Sequence, residues 1–356
     1  MPEDIVVGQI GCGYWGPNLL RNFVRAPGCQ VKWVAEQSEE RRDYVAGHYP
    51  ETSVTGDAAD VIGDAEVDAV VIATPAGSHY ALASSAMEAG KHVLVEKPLA
   101  LDLADAERLV SMAEERGLVL MVGHTYLYND ALSVLARQID EGVIGDIYYF
   151  DLKRLNLGIA RTDVNAWWNL APHDISILLR LRGGRLPSEV SATGASFIQK
   201  GIEDTVFARL NWDDGVIAHI HVSWLSPDKV RHMTVVGSRK MAVFDELAAH
   251  PVSVYDKGIE LMPAEAGRRD YDDFTGTQLV HRVGEVAHPD VIPSEPLAGE
   301  VGDFLACIAS GGTPVADARR GRDVVAVLAA GDRSLKANGA PVKPEAGKAL
   351  SKNARN

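Results

Sequence analysis

Long apolar runs are missing from this 356-residue chain: nothing approaches the roughly 18 uninterrupted apolar residues that a membrane span needs. An excess of positive charge is missing too. Against 35 lysines and arginines stand 49 aspartates and glutamates, a formal net charge of −14, and a surface of that sign repels a phosphate polymer or an anionic bilayer. Nucleic acid and membrane are therefore not expected as partners. A small anionic substrate stays open, because a pocket needs only a few local cations. Cysteine is scarce: Cys12, Cys29 and Cys307 show no CxxC spacing and no ligand cluster, and three cannot all pair internally. They read as free thiols of a reducing compartment, with no metal site. The opening MPEDIVV sets two acids before an apolar strand, unlike a secretory leader, so a soluble, cytoplasmic protein is expected.

What is present suits two domains with substantial cores: 46% of the residues are hydrophobic. Over the first 123 residues, strands are expected at Ile5–Ile10, 31–35, 69–73, 92–95 and 119–122, with helices at 18–25, 80–89 and 103–115. That alternation implies a parallel sheet covered on both faces. Past Gly123 the rhythm changes. A helix at 130–141, a strand at 147–155 and a helix at 171–181 precede strand-like runs at 206–212, 216–222 and 231–236, with Asp213-Asp214-Gly215 as a hairpin turn. The expected fold is α/β. A doubly wound Rossmann sheet spans 1–123, and an α+β domain with a large, mostly antiparallel sheet spans 124–345. The stretch 262–296 reads as a long irregular loop, helices follow at 298–310 and 320–338, and 346–356 reads as a polar tail.

Gly11-Cys12-Gly13-Tyr14-Trp15-Gly16 is a GxGxxG directly after the first strand and at the opening of the first helix. Gly11 permits the tight turn, Gly13 lets backbone approach a pyrophosphate, and Gly16 lets helix and strand pack closely. The helix N-terminus offers free N–H groups to phosphate. Glu36, at the end of the second strand, lies twenty residues beyond Gly16. A carboxylate there accepts from both ribose hydroxyls of NAD and repels the 2′-phosphate of NADP. NAD is therefore favoured, with Arg41 and Arg42 downstream keeping NADP open. Thr74 and Pro75 close the strand at 69–73 and fall on the nicotinamide side, unless Pro75 only ends the strand. The expected cofactor set is Gly11, Gly13, Tyr14, Trp15, Gly16, Glu36, Thr74, Pro75, His79, Glu96 and Lys97.

Glu96-Lys97-Pro98 follows the strand at 92–95, again at a carboxyl end facing the same cleft. A lysine there can hydrogen-bond a substrate hydroxyl and stabilise developing alkoxide charge, with Glu96 beside it to hold or tune it. The glycine motif, Ala73-Thr74-Pro75, Glu96-Lys97-Pro98 and the switch to an antiparallel sheet together resemble the Gfo/Idh/MocA oxidoreductase family over nearly the whole chain. The resemblance implies an NAD-dependent enzyme acting on CH–OH groups, a catalytic Lys97, and a homodimer or homotetramer assembled through the open sheet face. In Asn169-Leu170-Ala171-Pro172-His173-Asp174, His173 matches the family's catalytic-helix histidine. Pro172 suits a first helical turn. That would put His173 near a helix N-terminus, where the dipole disfavours imidazolium, and a neutral imidazole can take a proton from an alcohol as hydride leaves. Many family members resemble a pattern with aspartate at position 169. Asparagine here leaves His173 and Lys97 as the acid/base candidates, with Asn169 either a helix cap or a substrate contact.

Ahead of that helix, residues 153–168 gather Lys153, Arg154 and Arg161, Asn156 and Asn165, Trp167 and Trp168. Arginine forks suit a diphosphate, tryptophan faces suit a sugar or base, and asparagines suit hydroxyls. This run looks like the branch of the family that acts on nucleotide-linked sugars, such as a UDP-N-acetylhexosamine or its uronate, at C3. The alternative is a structural or subunit-contact loop with the tryptophans as core. The expected substrate set is His124, Tyr126, Arg154, Asn156, Arg161, Asn165, Asn169 and His173. Competing readings are a free-sugar or inositol dehydrogenase, a sugar 3-ketoreductase, an NAD-dependent glycosidase, and a non-catalytic cofactor-binding sensor.

Overall fold

A computed structural model describes residues 4–158, 160–263 and 277–345; the expected tail at 346–356 lies outside them. The chain begins β1 (Ile5–Ile10), α1 (Gly16–Arg25), β2 (Cys29–Ala35), α2 (Glu39–His48), β3 (Ser53–Thr55), α3 (Ala58–Gly63), β4 (Ala69–Ile72), α4 (His79–Glu88), β5 (His92–Glu96), α5 (Leu103–Arg116) and β6 (Leu120–Gly123). These strands form a six-stranded sheet in the order β3-β2-β1-β4-β5-β6 with parallel pairing. The order reverses between β1 and β4, and ligands of such sheets bind there, at the carboxyl ends. β4 and the middle of β5 are buried on both faces, which is why they read as unbroken apolar runs.

The second half runs α6 (Asp130–Asp140), β7 (Ile147–Leu157), α7 (Ala166–Leu181), β8 (Glu189–Ala195), β9 (Thr205–Asn211), β10 (Ile217–Ser223), β11 (Leu225–Gly237), β12 (Met241–Asp245), β13 (Val252–Pro263), β14 (Thr277–Ala287), α8 (Pro296–Ser310) and α9 (Ala318–Lys336). Its eight strands form one sheet, order β14-β13-β12-β11-β7-β10-β9-β8, antiparallel except for the β7–β10 pair. Both sheets, and so the α/β class, are as the sequence implied. Side chains alternate: Val206, Ala208 and Leu210 of β9 are buried while Phe207 and Arg209 face out. One face lies on α7, and among the described residues side chains of the other, such as Phe207 and Arg209, are exposed.

Three expectations fail. The loop expected at 262–296 contains the end of β13, β14 and the start of α8; its residues 264–276 lie outside the described set. The helix expected at 171–181 begins at Ala166, capped by Asn165, whose side chain accepts from the Trp168 N–H at 3.1 Å. Pro172 is therefore inside α7, not in its first turn. Finally, α2, β3 and α3 fill a stretch where no element was expected. α2 buries only Val45, too little to leave a periodic apolar signal.

The last two helices return to the first sheet. α8 packs on α1, with Phe304 edge-on to Phe23 at 6.3 Å between ring centroids. α9 packs on α5, α7 and β8, and the Val122 N–H donates to the Ala316 carbonyl at 2.9 Å.

Candidate active site

One cleft, about 1420 Å³ in volume, runs from the glycine turn to α7 and β11. At one end Gly11 has φ +93°, and a Cβ there would stand 2.5 Å from the Ala73 carbonyl oxygen, so only glycine fits the turn. Gln9 ties the turn from beneath, its Nε2 donating to the carbonyls of Gly11 (2.8 Å) and Gly16 (3.1 Å). Glu36 lines the cleft at the end of β2. Its Oε2 accepts from the Cys12 N–H at 2.6 Å and its Oε1 from the Ser38 N–H at 3.0 Å, so this carboxylate orders the turn as well as facing the ribose position. Arg41 also lines the cleft beside Gly13, whereas the Arg42 guanidinium is held by the carbonyls of Glu36 and Gln37. Tyr14 and Trp15 line the cleft from its exposed rim, and Thr74 and Pro75 from the end of β4.

The residues present fit a dinucleotide. A glycine turn that no side chain can enter leads into the free N–H groups of α1, and a carboxylate stands at the end of β2. Two members of the expected cofactor set stand elsewhere. Gly16 lies under the turn. His79 is fully buried behind the cleft wall, its Nδ1 2.7 Å from the Pro98 carbonyl oxygen and its Nε2 3.0 Å from that of Thr74. It braces the two strand-end loops against each other and does not line the cleft.

At the other end, Lys97 and His173 meet across the two halves of the chain. Pro172 lacks the N–H that would serve the Trp168 carbonyl, so the ladder of α7 is one bond short there. The next carbonyl, that of Asn169, accepts from Lys97 Nζ at 3.1 Å. Burial holds Lys97 below the usual lysine range, with Glu96 opposing and Arg161 and Arg154 adding to the effect. His173 lines the cleft with its Nδ1 buried and unpartnered among the described residues, so Nε2 is the nitrogen the cleft can reach. Its pKa falls well below the ordinary value, through burial first and then the charges of Lys97 and Arg154. The neutral histidine expected from sequence is thus present for another reason: it sits in the second turn of α7, away from the helix end. Asn169 is likewise no cap; its Oδ1 accepts from the Trp224 indole at 3.1 Å.

The expected substrate residues divide. Tyr126, Arg154, Arg161, Asn169 and His173 line the cleft. Arg154 is buried, and its fork is already taken by Asp174 in two bonds of 2.9 Å, with Tyr126 over its guanidinium at 4.4 Å. Arg161 is paired with Asp163 at 2.6 Å. Asn165 is the cap of α7 and Asn156 accepts from Arg231 at 2.9 Å; neither lines the cleft. His124 is fully buried beneath the cleft, its pKa pushed down to about 3 by burial and by Lys97. Trp167 and Trp168 are core, Trp167 donating to the Leu328 carbonyl at 3.0 Å. The sequence reading missed Lys229, Arg231 and Glu246, which reach the cleft from β11 and the turn after β12. Pairing of β11 with β7 and of β12 with β11 brings them there, and no local motif announces them. Among the described residues no group of His, Cys, Asp and Glu is placed to hold a metal ion, and no helix is long and apolar enough to cross a membrane.

A dinucleotide cradle opening onto a lysine and a neutral histidine defines an NAD(P)-dependent oxidoreductase acting on CH–OH groups. Residues 5–124 match the oxidoreductase family with an NAD-binding Rossmann fold, and residues 133–243 match the GFO/IDH/MocA C-terminal domain. The chain belongs to the Gfo/Idh/MocA oxidoreductase family. It is 32% identical to the UDP-N-acetylglucosamine 3-dehydrogenase of Acidithiobacillus ferrooxidans over 90% of this chain and 93% of that protein. A crystal structure of that enzyme superposes with a TM-score of 0.77 and 26% identity, covering 94% of this chain and 99% of the other. Inositol 2-dehydrogenase 1 of Saccharopolyspora erythraea is 38% identical over 39% of this chain and 42% of its own length.

Proposed function

We propose that the protein oxidises a secondary hydroxyl, at C3, of a nucleotide-linked sugar such as a UDP-N-acetylhexosamine or its uronate, with NAD as acceptor. One observation carries this reading. Lys97 and His173 line the same cleft as the dinucleotide cradle, together with Lys229 and Arg231, cations suited to a diphosphate. The similarity to a UDP-N-acetylglucosamine 3-dehydrogenase over most of both chains supports it. Lys97 Nζ donates to the substrate oxygen and steadies its developing charge. His173 Nε2 takes the hydroxyl proton, and a bound NAD would supply the hydride acceptor. Residues 1–123 hold the cofactor and 124–345 hold the substrate and, through the open sheet face, a second copy, giving a homodimer or homotetramer.

A second reading, a free-sugar or inositol dehydrogenase, rests on the internal pairing of Arg154 and Arg161 and on the inositol dehydrogenase similarity. One assay separates the two: NADH formation by purified protein with NAD and a panel of UDP- and dTDP-sugars beside inositol and glucose. A signal with UDP-sugars alone supports the first reading. A signal with inositol or glucose alone overturns it.

A further inference from the structure

The side chain of Asn169 carries a polar group that the reaction above leaves unused. The Trp224 indole N–H can only donate, so the Asn169 atom 3.1 Å from it is the oxygen, and the amide has one orientation. Trp224 is itself fixed. It is buried, its backbone N–H donates to the Asp204 carbonyl at 3.0 Å, and its carbonyl accepts from the Gly158 N–H at 3.2 Å. The Asn169 Nδ2 group is the end left over. Among the described residues it donates to no protein group, and it is not closed off from solvent. Asn169 is half-buried and lines the cleft. Its backbone carbonyl accepts from Lys97 Nζ at 3.1 Å, and His173 stands one turn further along the same face of α7. The free amide therefore belongs to the same part of the cleft as the acid/base pair.

We propose that Asn169 is a specificity-determining residue, whose amide donates to a hydrogen-bond acceptor carried on the carbon next to the one oxidised. Lys97 Nζ and His173 Nε2 are both engaged by the reacting hydroxyl, its oxygen by the one and its proton by the other. Asn169 Nδ2 then offers donors alone. An acyl carbonyl satisfies them with no proton of its own to place. A hydroxyl can accept as well, but its own proton finds no acceptor among these three groups, and an ammonium can only donate and is turned away. On the nucleotide-sugar reading, on which this inference rests, oxidation at C3 puts the carbonyl of a 2-acetamido group there. An aspartate at position 169 could accept from the Trp224 indole equally well, but would present an oxygen where asparagine presents N–H. The residue type thus fixes the polarity of the contact.

Calorimetric titration of UDP-N-acetylglucosamine and of UDP-glucose into the full-length protein saturated with NADH, a complex that cannot turn over, tests this. The wild type should bind the acetamido sugar roughly ten- to a hundredfold more tightly, the cost of leaving a half-buried donor without its acceptor. In Asn169→Asp the preference should reverse, because a carboxylate repels the carbonyl and accepts from the hydroxyl. In Asn169→Leu, which keeps the size but neither donates nor accepts, the preference should shrink about tenfold. NADH affinity equal to the wild type's marks each variant as folded, and Asn169→Leu carries the test if Asn169→Asp does not fold. Equal binding of the two sugars by the wild type, or a preference unchanged in the folded variants, overturns the role of Asn169 and leaves the nucleotide-sugar reading standing. Binding of neither sugar overturns that reading and this inference with it.

Discussion

Lys97 and His173 come from different halves of the chain, and a single backbone carbonyl, that of Asn169, anchors one beside the other. Replacing Lys97 by Met should reduce turnover by roughly a thousandfold while leaving NAD binding intact, because the amine acts at the reacting oxygen and not on the dinucleotide. Near-normal turnover would remove the lysine from the chemistry. His173→Gln should lower kcat by about 100-fold or more, checked against an unchanged affinity for NAD. Glu36→Ala should cost more NAD affinity than a lost ribose contact alone, since Glu36 also accepts the Cys12 and Ser38 N–H groups and holds the glycine turn. Calorimetric titration with NAD and NADP would show it as weaker NAD binding with the preference between the two reduced. An unchanged NAD affinity would show that the carboxylate neither binds the ribose nor orders the turn.

At the scale of elements, α7 and α9 decide how the halves fit. Gly331 lies within α9, and a Cβ there would meet the Trp167 indole at 2.5 Å. Gly331→Ala should therefore destabilise the fold by about 1–3 kcal/mol despite alanine's better helix propensity, read as a lower urea midpoint. A neutral or stabilising result would mean the indole can move aside. The buried Arg154–Asp174 pair joins β7 to α7, and Asp174→Ala, which strands the guanidinium, should cost about 3–5 kcal/mol by the same measurement. These contacts also explain what the sequence could and could not disclose. Five of the six strands of the first sheet were legible from their apolar runs, the partly exposed β3 being the exception, and the cradle because GxGxxG and Glu36 are fixed by local geometry. The start of α7 was misplaced because Pro172 looked like a first-turn residue. The signal that would have placed it, Asn165 three residues before Trp168, was there to be read as a cap. Lys229, Arg231 and Glu246 were illegible for a different reason: each reaches the cleft through long-range strand pairing, which no window of sequence contains.

For the whole molecule, the buried histidines set an acid limit. His124, fully buried, holds a folded pKa near 3, below its ordinary value, by burial and by Lys97. The unfolded chain takes up that proton below about pH 6.5 and the folded chain does not, so stability is lost as pH falls through that range. The slope for this one group is about 1.4 kcal/mol per pH unit, and His173 adds to it in the same direction. Urea unfolding at neutral pH and at mildly acidic pH should show the loss, and His124→Asn should reduce it; an equal slope in the variant would clear this histidine. The place of α8 in the core has its own consequence. Val7, Leu19, Phe23, Leu94 and Met121 of the first sheet and its helix share one apolar core with Leu297, Val301 and Phe304 of α8. During synthesis β1 and α1 leave the ribosome long before α8, and the seam that α8 closes stays open until residues 296–310 have emerged. The nascent dinucleotide half waits for α8 with that apolar face exposed, and a ribosome stalled before residue 296 would present a chaperone with a patch that the folded chain covers.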